Sequence, residues 1–149
     1  MSGNLGKYVM SEKPHTVTVT VYYTEVELPS GDTIFRVVND EKAKKMIEEK
    51  KGNIEVLNVK FRVPEWESQN EIVSQSSQIN DMTGQTTMDW YKYRNMRINK
   101  LIEAWDLKID DEEVPVSEAF LRKMPPDIMT AIYDKFEQTV SIDPLEEGK

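Results

Sequence analysis

An α+β fold, with a small N-terminal β-β-α-β unit followed by a helical C-terminal half, is predicted by three features of the sequence. Residues 15–63 alternate apolar and polar side chains at the two-residue period of strands, in three runs separated by turn and helix signals. Beyond Pro64 the apolar period lengthens to that of helices. The charge divides at the same place: residues 1–63 carry 10 basic and 9 acidic side chains, net +1, and residues 64–149 carry 9 and 18, net −9. The expected organisation is a flexible arm over 1–14, the β-β-α-β unit over 15–63, a helical region over 64–140 with an acidic turn at 106–113, and an acidic tail over 141–149.

The arm, MSGNLGKYVMSEKP, is polar, contains glycine and closes on Pro14, so it is expected to lack fixed structure unless a partner orders it. In HTVTVTVYYTEVEL, Val17, Val19, Val21 and Tyr23 alternate with threonines, and the apolar set then moves to Val26 and Leu28. That change of phase predicts either a bulge near Tyr22–Tyr23, the favoured reading, or a strand with apolar groups on both faces. LPSGDT supplies turn chemistry and TIFRVV the returning strand of a hairpin. NDEKAKKMIEEKKG places Asn39 or Asp40 at an N-cap, acids in the first turn, lysines in the last and Gly52 past the end, which predicts a short surface helix anchored by Ala43, Met46 and Ile47. A third strand, NIEVLNVKFRV, alternates Leu57, Val59, Phe61 and Val63 with polar residues and stops at Pro64. A three-stranded unit of this size buries little area alone and leaves two edges open to strand addition.

EWESQNEIVSQSSQIN reads as a weak helix with Trp66, Ile72, Val73 and Ile79 as anchors, followed by a loop at NDMTGQT. Residues 87–105 read as the central core helix, with Tyr91, Ile98, Ile102 and Trp105 on one stripe. SEAFLRK predicts a short helix capped by Ser117. Pro126 opens a final helix with Ile128, Ala131, Ile132 and Phe136 on its buried face and Met129 and Tyr133 beside it.

Composition narrows the functional classes. A formal charge of −8 opposes a grip on nucleic acid through phosphate neutralisation. The absence of cysteine removes disulfides, thiolate catalysis and zinc–thiolate sites. Without an apolar leader or a run of about 20 apolar residues, the chain is expected to be soluble and to stay in the cytoplasm. His15 is the only histidine, so neither a Ser/His/Asp triad nor a two-histidine metal site can be assembled, and its place at a strand start points to a structural role. The acidic stretch DLKIDDEE fails as a calcium loop because Lys108, Asp111 and Ser117 fall where a ligand, a glycine and a bidentate glutamate are required. It reads instead as a solvated connection. Neither a GxGxxG nor a GxxxxGK[ST] pattern occurs, so no cofactor is expected, and no catalytic residue stands out. Trp90 and Tyr93 leave the central helix on other sides from Tyr91, which is assigned to the core. Trp90, Tyr93, Met129 and Tyr133 are therefore the candidate interface residues, Met and Tyr being common where proteins meet.

The stretch from Pro64 to Phe136 resembles the tail assembly chaperones of long-tailed bacteriophages, the small proteins expressed ahead of the tape measure protein. VPEWESQNEI, the helix ending LIEAWDL, the acidic turn KIDDEE, the extended VPVSEAFLRKMPPDI and the closing MTAIYDKFEQ carry the resemblance over about half the chain. It implies a non-catalytic protein of the bacterial host cytoplasm that keeps the tape measure chain soluble and helps recruit tail-tube subunits, with self-association as a further option. It assigns packing roles to Trp105, Asp106, Pro115, Pro125 and Pro126. The β-β-α-β unit lies outside the pattern and equally suits a structural virion protein of the tail, neck or baseplate.

Overall fold

The computed structural model describes residues 3–140; the expected acidic tail at 141–149 lies outside them. The fold is α+β. Its centre is a four-stranded sheet in which β1 (Thr16–Glu27), β2 (Thr33–Val38), β3 (Glu55–Arg62) and β6 (Ile102–Trp105) take the order β2-β1-β3-β6. All neighbours are antiparallel.

The long strand β1 changes partner along its length. Thr16–Tyr23 pair with Arg62–Glu55 of β3, and Tyr22–Glu27 pair with Val38–Thr33 of β2. Both ladders run without a register shift, so the bulge expected near Tyr22–Tyr23 is absent. The change of apolar phase has the other cause: Val19 and Val21 face the main core, while Val26, with its partner Ile34, faces the opposite side of the sheet and is half-buried there.

The hairpin turn closes through Leu28 N–H to Asp32 O (2.7 Å) and Gly31 N–H to Leu28 O (2.9 Å), with Gly31 at φ 89°. Helix α2 (Asp40–Glu48) is capped by Asn39, whose side-chain oxygen accepts from the N–H of Glu41 and Lys42. Of its three expected anchors Ala43 is fully buried, Met46 is partly so and Ile47 is exposed. Gly52 is required where it stands: at φ 70°, a Cβ there would lie 2.8 Å from Met46 Cε.

The second half departs from the expected all-helical region. Helix α3 (Trp66–Ser76) ends before the expected segment does and runs into a small hairpin of β4 (Ser77–Ile79) and β5 (Thr86–Met88), with the expected loop over residues 80–85 as its turn. Asn80 organises the hairpin, its side chain accepting from the N–H of Met82 and Thr83. Helix α4 (Trp90–Leu101), capped by Asp89, ends four residues earlier than the apolar stripe implied. Ile102–Trp105 leave it as strand β6, which pairs with β3 and skips Glu103 in a bulge between the Lys60 and Phe61 partners. Tertiary demand overrides helical period here: the outer edge of β3 carries unpaired backbone groups, and β6 satisfies them from within the chain. One of the two edges expected to be open to a partner is thus closed.

DLKIDDEE is also more ordered than a plain connection. β7 (Lys108–Ile109) and β8 (Glu112–Glu113) form a hairpin whose two-residue turn, Asp110–Asp111, has φ 51° and 66°, the sign pattern of a type I′ turn. Helix α5 (Glu118–Lys123) is capped by Ser117, and α6 (Pro126–Val140) begins at Pro126. The arm is corrected too: Gly3–Met10 form helix α1, with residues 4–10 exposed.

The core lies between the Val19/Val21 face of the sheet and α6. Val19, Val21, Leu57, Val59 and Phe61 meet Ile128, Ile132 and Phe136, and the Phe61 and Phe136 rings stack with centroids 4.3 Å apart. Ile72 of α3, Leu101 of α4, Trp105 and Val114 complete it.

Candidate interaction surface

Helix α4 carries two of the four candidate interface residues, Trp90 and Tyr93, but with a different buried stripe from the expected one. Tyr91 is 76% exposed, and Tyr93, Met96 and Leu101 pack on the core instead. Between them sits Arg97, only 3% exposed. Its Nε–H donates to Glu137 Oε1 on α6 at 2.6 Å, its Nη1 donates to Gln69 Oε1 on α3, and its guanidinium lies over the rings of Tyr93 (5.6 Å) and Phe136 (5.3 Å). This cation ties three helices together, and it was missed in the sequence. Its spacing of four from both Tyr93 and Leu101 was the available signal.

Around Arg97 the aromatic groups spread outward. Tyr93 OH accepts from Gln69 Nε2 at 3.0 Å, and Trp90, 67% exposed, meets the Tyr93 ring edge-on at 5.6 Å. Tyr133 on α6 is half-buried, and burial, followed by the negative charge of Glu137, raises its pKa above the ordinary tyrosine value. Met129, one turn earlier on α6, is also half-buried and lines a cleft of about 430 Å³ between α4, α5 and the start of α6. Arg94, Ile98, Leu121, Arg122, Met124 and Pro126 form the rest of its apolar and basic lining, and Asn95, Asn99, Glu118 and Thr130 make the remainder polar. Trp90, Tyr93, Tyr133 and Met129 thus lie along one helical surface, Trp90 the most exposed of them.

The residues assigned to packing occupy a separate place on β6 and in the connections after it. Trp105 is 7% exposed, and its Nε1–H donates to Val114 O at 2.6 Å, so the indole holds the acidic hairpin against the sheet. It does so from a strand, not from the end of a helix. The Asp106 carboxylate accepts from Asn58 N–H and Asn58 Nδ2, both at 2.8 Å, and Asn58 Oδ1 accepts from Thr20 Oγ1 at 2.6 Å, a chain linking β6, β3 and β1. Pro115 is exposed and follows buried Val114; Pro125, half-buried, offers its carbonyl to Met129 N–H, and exposed Pro126 starts α6. Two of the expected anchors are on the surface: Trp66 is 84% and Ile79 70% exposed, leaving Ile72 as the buried apolar residue of α3, with Ser76 also buried. His15 stacks on Tyr8 at 3.5 Å and its Nε2 lies 2.9 Å from Tyr8 O.

Among the described residues no three His, Asp or Glu side chains converge to hold a metal ion, and no helix is long and apolar enough to cross a membrane. The fold and this surface define an α+β protein with an aromatic and methionine-bearing helical face. Compared with protein-family models, curated proteins and solved structures, the chain has no match.

Proposed function

We propose that the protein is a tail assembly chaperone of a long-tailed bacteriophage, acting in the bacterial host cytoplasm without catalysis or cofactor. In this reading the β-β-α-β stretch is a platform, and the helical elements of residues 64–140 reversibly bind apolar helical segments of the tape measure protein and help recruit tail-tube subunits. The observation that carries it is the cleft between α4, α5 and α6, with half-buried Met124 and Met129 in its wall, on a helix α4 that also exposes Trp90 one turn before the lining residue Arg94. A groove lined by flexible methionines accepts amphipathic helices of varied sequence, which is what a chaperone of a long helical chain requires. The sequence resemblance over residues 64–136 supports the same reading.

The test is co-expression with the tape measure protein encoded beside it, followed by co-purification and mass spectrometry of finished virions. Co-purification together with absence from virions is the expected result. Stoichiometric presence in virions would make the chain a structural tail, neck or baseplate component instead. Trp90→Ala and Met129→Glu should each weaken tape measure binding about tenfold or more, the usual effect at a central aromatic or apolar contact.

A further inference from the structure

We draw no further inference here: the strongest candidate, the open edge of the end strand β2 with the groove it forms against the first turn of α6, carries nothing because Arg36 and Asp127 offset each other in its walls and nothing in the structure shows what covers it or the bare Leu5/Val9 face of α1.

Discussion

Arg97 and Asp106 show how single polar residues hold this fold. Arg97 is buried with Glu137, Gln69 and two aromatic rings as its partners, so its removal strands acceptors on two other helices. Arg97→Ala should cost about 3 kcal/mol in urea unfolding, and Arg97→Met less, because it restores packing without a second buried charge. Asp106 is exposed, and solvent weakens its hold on Asn58. Asp106→Ala should cost only about 1 kcal/mol, and Asn58→Ala made in the same chain should add less than its own separate cost, since the two share the same hydrogen bonds. A result near 3 kcal/mol for Asp106 would mean that it organises more than this bridge.

At the scale of elements, the acidic hairpin offers a clean test of turn chemistry. Asp110 and Asp111 both occupy left-handed backbone, which aspartate tolerates and glycine prefers at the second position. Asp111→Gly should therefore raise the unfolding free energy by roughly 0.5 kcal/mol, read as a small increase in the thermal midpoint, whereas Asp111→Val should lower it. The hairpin was hidden in the sequence because two strands of two residues each have no readable period. Paired acids in a turn were the visible cue. The early end of α4 was hidden for a different reason: Ile98, Ile102 and Trp105 satisfy a helical stripe, yet Ile102 and Trp105 also satisfy a short strand around the bulge at Glu103, and only the open edge of β3 chooses between them.

For the whole molecule, stability rests on α6 lying across the sheet. Phe136→Ala removes the ring stacked on Phe61 and leaves a hole at the centre of the core, so a loss of about 3–5 kcal/mol is expected in chemical denaturation. The sheet also sets an alkaline limit. Burial first, then the charge of Glu55 and a hydrogen bond to it, push Tyr23 up to about 12 from an ordinary value of 10.0. The folded state holds that proton more tightly than the unfolded chain, so its contribution is fully present below pH 10 and is lost as the pH rises toward 12. Tyr23→Phe should flatten the fall in stability over that window, as followed by unfolding midpoints, and should remove one phenolate step near pH 12 from the absorbance titration.

The sequence by itself determined the α+β class, the three strands and capped helix of residues 15–63, and the buried face of α6. Each of these follows from local information: a period of two or of 3.6, a capping side chain, a glycine at positive φ. Only the tertiary structure decided which strand closes β3, which side of α4 is buried and where α1 lies. Those choices depend on unpaired backbone edges and on a buried cation satisfied by residues 28 and 40 positions away, and no local pattern records them.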